Sequence, residues 1–177
     1  MITQAALVVD RKGLAKKLGD RPKSFALFEL VQNAWDAPGV TRVIVLIEHH
    51  GNNKCRLYVC DYSPGGFTTL ESVYTLFRDS EKAADPEKRG RFELGEKLVA
   101  ALALRMTVTT TKGTVTIEGD RRTSGRSRLE RGSSIEVILK MTKEEMVQVI
   151  ASAKRLLAPA GITTFVNGVE LPRREVL

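Results

Sequence analysis

Between residues 24 and 37 the apolar positions recur at the three- and four-residue spacing of a helix, and the polar ones keep the same interval on the other side. Leu27, Leu30, Val31, Ala34 and Trp35 form one face, while Glu29, Gln32, Asn33 and Asp36 share a narrow arc opposite, at about 100° per residue. Ser24 stands where an N-cap belongs, and Pro38-Gly39 ends the helix after about three to four turns. A carboxylate and a carboxamide one turn apart on one face can address a single bound group. A plain amphipathic helix with a solvated edge is the simpler alternative.

After this helix the period changes. Val40 to His50 and Cys55 to Asp61 read as strands joined by Gly51-Asn52-Asn53-Lys54, a hairpin with buried inner positions. Tyr62-Ser63-Pro64-Gly65-Gly66 is a breaker cluster, and Leu70, Val73, Tyr74 and Phe77 then recur at helical spacing. The charged stretch from Arg78 to Arg91, with Pro86 and Gly90, reads as a loop. Gly95 opens a helix to about Arg105, and Met106 to Thr111 with Thr114 to Glu118 form a second hairpin around Lys112-Gly113. Ile135 to Leu139 is a strand, and Thr142-Lys143-Glu144-Glu145 has the capping-box pattern of a helix running to about Leu157. A last hairpin turns at Asn167-Gly168, from Gly161 to Val166 and back through Leu171. Hairpins interrupted by helices predict an α+β fold, a two-layer sandwich with helices over one face of a mixed, mostly antiparallel sheet. Strict βαβ alternation and a phosphate-binding P-loop sequence are both absent.

Composition narrows this picture. With 177 residues, 42% of them hydrophobic and 28% charged, a single domain over 1–177 is expected. The most apolar run, Leu98 to Leu104, is closed by Lys97 and Arg105, far short of the roughly 20 residues of a membrane span. The first ten residues lack a secretory pattern, and a cytoplasmic location is the expectation. Cys55 and Cys60, five apart on one strand, point to opposite faces, so neither a disulfide nor a zinc site is expected. His49 and His50 have no partners at ligand spacing. The net charge of +7 concentrates in Arg121, Arg122, Arg126, Arg128 and Arg131, a loop that could touch nucleic acid or be a solvated hairpin connection. No aromatic residues interleave it to decide between the two.

Three segments carry candidate chemistry. Glu29, among apolar neighbours, should have its pKa raised by desolvation, and the Asn33 carboxamide stands one turn away on the same face. Asp61 ends a strand ahead of a glycine-rich turn, and the backbone amides at the helix start near Gly95 favour an anion.

In this order the segments resemble the Bergerat-fold ATPases, or GHKL superfamily, which includes DNA gyrase, heat-shock chaperones, sensor histidine kinases and the MutL mismatch-repair proteins. The likeness spans about residues 24 to 140. Glu29-Leu30-Val31-Gln32-Asn33-Ala34-Trp35-Asp36-Ala37 is similar to the family's N box, which implies that Glu29 acts as general base on the attacking water and that Asn33 coordinates Mg2+. Asp61-Tyr62-Ser63-Pro64-Gly65-Gly66-Phe67 is similar to the aspartate-x-glycine-x-glycine box. The resemblance implies that Asp61 accepts a hydrogen bond from the adenine amine, so selecting adenine over guanine, with Gly65 or Gly66 letting the backbone approach the base. Ser63 replaces the first glycine of that box, and one residue is added near Gly65-Gly66.

Gly90-Arg91-Phe92-Glu93-Leu94-Gly95-Glu96-Lys97-Leu98 resembles the second glycine box. It implies a lid over 78–94 that closes on the triphosphate, with Gly90 and Gly95 at the phosphates and Lys97 as a phosphate contact; Glu93 stands where many relatives have glycine. Gly132-Ser133-Ser134-Ile135 resembles the glycine-threonine segment whose hydroxyl assists the adenine-binding aspartate, which implies that role for Ser133. The resemblance further implies slow Mg2+-dependent ATP hydrolysis in a DNA-processing or repair-type protein. It also implies a nucleotide-dependent homodimer, and a lysine from a following domain into which residues 161–177 lead. A chaperone-like or regulatory ATP-binding module that gates protein contacts is the alternative, ahead of a histidine-kinase-type catalytic domain.

Overall fold

The computed structural model describes residues 21–65 and 94–175, together with positions 13 and 16. Helix α1 (Ser24–Trp35) buries Ala26, Leu27, Leu30, Val31 and Ala34, the face its pattern dictates. It leaves Glu29, Gln32, Asn33 and Asp36 half-buried along the opposite edge. Ser24 is the first helical residue rather than the cap: Lys23 holds the N-cap position, in helical backbone geometry and without a side-chain hydrogen bond.

The strands are β1 (Arg42–His49), β2 (Lys54–Asp61), β3 (Arg105–Thr110), β4 (Gly113–Glu118), β5 (Arg121–Gly125), β6 (Ser133–Lys140), β7 (Thr163–Val166) and β8 (Val169–Glu170). They form one sheet in the order β5-β4-β3-β6-β2-β1-β7-β8. Every neighbouring pair is antiparallel except β1 with β7, which run parallel. The turn between β1 and β2 needs left-handed backbone, which Asn52 and Asn53 supply at φ 43° and 51°. Helix α2 (Leu94–Leu102) stops before the expected Arg105, which instead opens β3. Helix α3 (Lys143–Ala153) begins with the full capping box between Thr142 and Glu145 but ends well short of Leu157. The arginine segment begins not as a loop but as β5, an edge strand with every residue exposed.

Alternation along the strands sends Val43, Val45, Ile47, Leu57, Val59, Met106, Val108, Ile135 and Val137 toward the helices, where they form the core with α1, Val99, Val149 and Ala153. The other face stays free of helices among the described residues. It carries an ion-pair cluster in which Arg56 bridges Glu48 and Glu136, at 2.6 and 2.8 Å. Two side chains fasten β7 into the sheet and under α1. The Trp35 indole donates to Thr164 Oγ1 at 2.9 Å, and the Asn167 amide pairs with both backbone groups of Ile47, at 2.8 and 3.1 Å.

Among the described residues no helix is long and apolar enough to cross a membrane. The cysteines are free and buried. Burial pushes the Cys55 thiol up to about 11 and that of Cys60 upward as well.

Candidate functional site

Asp61 is the last residue of β2 and, in register with Val43, turns its side chain to the helix-covered face. It is 6% exposed. A carboxylate buried this deeply needs donors, and the backbone supplies them. Ser63 N–H donates to Oδ1 at 3.0 Å and Ser133 N–H donates to Oδ2 at 3.2 Å. The first bond closes the turn out of β2 and the second crosses to β6, where Ser133 stands directly opposite Asp61. These two bonds fix the group in place, and a carboxylate oxygen that accepts one of them has the capacity to accept a second.

Gly132 makes this closeness possible, a role the sequence pattern did not single out. Its φ of +72° is left-handed, and a Cβ built on it would overlap the Asp61 carbonyl oxygen and lie 2.9 Å from the carbonyl carbon. Gly132→Ala is therefore expected to cost roughly 3 kcal/mol of stability or more, read as an earlier urea midpoint. An unchanged midpoint would show that β6 can shift away from Asp61 without penalty. The motif resemblance assigned the contact to a Ser133 hydroxyl; the bond described between the two residues comes from the Ser133 amide.

The turn after Asp61 is pinned at its far side, where Thr111 Oγ1 donates to the Gly65 carbonyl at 3.0 Å. An Arg131 guanidinium N–H donates to the Tyr62 carbonyl at 2.8 Å. Asp61, Gly65 and Ser133 thus meet at one end of the sheet, joined by Ser63, Thr111, Arg131 and Gly132. The departure at Ser63 is accommodated, since its backbone amide is what Asp61 uses and the residue is 1% exposed.

Glu29 and Asn33 lie on the half-buried edge of α1, the helix that packs over β1 and β2 and against α2. Burial holds the Glu29 carboxyl above the ordinary carboxylate range, with the nearby Arg21 charge pulling it partly back. Asp36, at the end of the same stripe, buries Oδ2 without a hydrogen-bond partner among the described residues. Gly95 falls in the first turn of α2 as expected. Gly66, Gly90, the segment 78–93 of the expected lid and the side chain of Lys97 lie outside the described residues.

Among the described residues no three His, Cys, Asp or Glu side chains gather to hold a metal. Magnesium bound through one or two protein ligands and phosphate oxygens needs no such cluster. A neutral amide oxygen at Asn33, one turn from a carboxylate, is a donor set that fits it.

No family model matches the chain, and no curated protein does. Solved structures do match. The ATPase region of Saccharomyces cerevisiae topoisomerase II bound to dexrazoxane superposes with a TM-score of 0.60 at 16% identity, over 85% of this chain and 49% of that one. Another structure of the same region gives 0.57 at 15%, over 84% and 48%. The N-terminal domain of a DNA repair protein gives 0.57 at 14%, over 93% and 57%. The chain thus spans about half the length of these structures, and what it shares with them is an α+β fold, that of the topoisomerase II ATPase region.

Proposed function

We propose that this chain is an ATP-binding module that hydrolyses ATP slowly with magnesium, of the kind that gates a DNA-processing or repair-type protein. The observation that carries the reading is Asp61: a buried carboxylate held by two backbone amides, with acceptor capacity left over, at the end of a sheet whose helix layer presents Glu29 and Asn33. The adenine amine donates to that spare capacity. Guanine would bring a carbonyl oxygen against the carboxylate and be rejected.

Asn33 would hold magnesium, which would supply charge neutralisation to the phosphates. Gly66, Gly90, Gly95 and Lys97 serve the base and phosphates, and residues 78–94 act as the lid. Glu29, deprotonated, takes a proton from water as its oxygen bonds to the γ-phosphorus. The bond from phosphorus to the bridging oxygen breaks, and ADP departs. Burial raises the basicity of Glu29, which strengthens it as a base above its pKa. Slow turnover fits a site completed by a further domain or a second copy in a nucleotide-dependent dimer. The fold shared with the topoisomerase II ATPase region and the DNA repair domain supports the DNA-processing assignment.

Calorimetric titration with ATP, with and without magnesium, tests the reading. Magnesium-enhanced binding of ATP and at least about tenfold weaker binding of GTP are the expected results. No heat and no thermal stabilisation by ATP would overturn it.

A further inference from the structure

The strongest charged feature outside the nucleotide site is the run from residue 121 to 131. It holds five arginines, Arg121, Arg122, Arg126, Arg128 and Arg131, against one acid, Glu130. Residues 121–128 are exposed without interruption. The first part is β5, which pairs with β4 and forms an edge of the sheet. Arg121 and Arg122 stand opposite Glu118 and Ile117 respectively, so their side chains leave the strand on opposite faces.

The second part crosses the end of the sheet toward the nucleotide site. Thr114 Oγ1 donates to the Ser127 carbonyl at 2.6 Å, Leu129 N–H donates to the Thr110 carbonyl at 2.9 Å, and Arg131 reaches the Tyr62 carbonyl. The next two residues are Gly132, backed onto the Asp61 carbonyl, and Ser133, whose amide holds the Asp61 carboxylate. The arginine run and the base-selecting aspartate are ends of one hydrogen-bonded stretch of backbone.

We propose that residues 121–128 bind the phosphate backbone of double-stranded nucleic acid, and that this binding is coupled to the nucleotide site through Arg131, Gly132 and Ser133. Every basic residue in the run is arginine, whose fork matches phosphate oxygens two at a time. Thr123, Ser124 and Ser127 interleave hydroxyls of the type that also contact phosphates. Leu129 is the one large apolar side chain in the run, and it is half-buried. An acidic peptide would therefore find charge but little apolar surface within the run to hold its side chains. The lack of aromatic residues removes the stacking that favours unpaired bases, so duplex is the expected form and sequence should matter little. Edge strands also carry charge to prevent pairing with other chains, but that purpose does not call for a further arginine pair at 126 and 128 beyond the strand. The coupling rests on the ATP reading; the duplex contact does not.

Fluorescence anisotropy with a labelled mixed-sequence duplex oligonucleotide tests the contact across a salt series. With four arginines engaged, the log–log slope should be about −3 to −4. Arg121→Ser/Arg126→Ser/Arg128→Ser, shown to keep the wild-type melting temperature, should bind at least about tenfold more weakly and flatten the slope to about −1. Equal duplex binding by wild type and variant overturns the contact, as does polyglutamate binding in place of duplex. ATP affinity measured with saturating duplex should differ from that without it by about fivefold or more. ATP binding that ignores duplex overturns the coupling alone. Failure of ATP to bind under either condition overturns the nucleotide reading and the coupling with it, while the anisotropy result still decides the duplex contact.

Discussion

Asp61→Asn is expected to weaken ATP binding by about 100-fold or more and to lower the melting temperature as well. The reason lies in the two amides that hold the carboxylate. Oδ1 faces the Ser63 N–H and Oδ2 faces the Ser133 N–H, so both positions require an acceptor. An asparagine must put its NH2 at one of them, donor against donor, whichever way it turns. The clash leaves a buried donor unsatisfied, at about 1–3 kcal/mol, and turns the end of β2 or the start of β6 away from the base. The remaining oxygen is uncharged and a weaker acceptor for the adenine amine. Calorimetry on the variant, paired with a thermal melt, checks both effects. ATP binding within about threefold of wild type would show that the base is recognised elsewhere.

Glu29→Gln has the opposite profile. The substitution keeps size and shape on the half-buried edge of α1 but removes the base. Steady-state hydrolysis should fall by about 10²- to 10⁴-fold, with ATP affinity nearly unchanged. The wild-type rate carries the same signature in its pH dependence. Since burial raises the Glu29 pKa, the active, deprotonated form is lost as pH falls through a value above the usual carboxylate range. The rate should therefore decline at a higher pH than an exposed glutamate would give. In Glu29→Gln that acid limb should disappear from whatever rate remains. A variant that hydrolyses ATP at the wild-type rate would remove Glu29 from the chemistry and leave a module that binds without turning over.

The parts of the fold legible in the sequence are those in which contacts are local. The buried face of α1, the β1–β2 and β7–β8 hairpins and the Thr142 capping box all follow from spacings of a few residues. The order of the strands was not legible. Nothing near residue 135 announces that β6 inserts between β2 and β3, and nothing near residue 164 announces a parallel pairing with β1. Those choices are made by the burial of distant faces. The sequence concealed β5 because its five residues are all exposed, which removes the alternation by which a strand is read.

The site divides in the same way. Asp61 stood out by type and place at a strand end, and the pKa shift of Glu29 followed from its apolar neighbours. The braces did not stand out, because they are backbone amides and a left-handed glycine 71 residues further along, at Gly132, brought to Asp61 only by strand pairing. The resemblance pointed to Ser133 through its hydroxyl, and the fold brings the Ser133 peptide N–H to Asp61 as well.

The placement of β6 at the centre of the sheet has a consequence for the order in which the chain emerges from the ribosome. Until residues 133–140 have been made, β2 and β3 each have one bare edge, and the chain consists of two half-sheets with no strand between them. The long sequence separation makes this joining slow compared with hairpin closure, so the interval is one in which a bare edge can meet another chain. The amide that fixes Asp61 arrives with the strand that ends this exposure. Competence to select a base is thus acquired in the step of synthesis that closes the gap between the half-sheets, ahead of β7, which covers the remaining edge of β1.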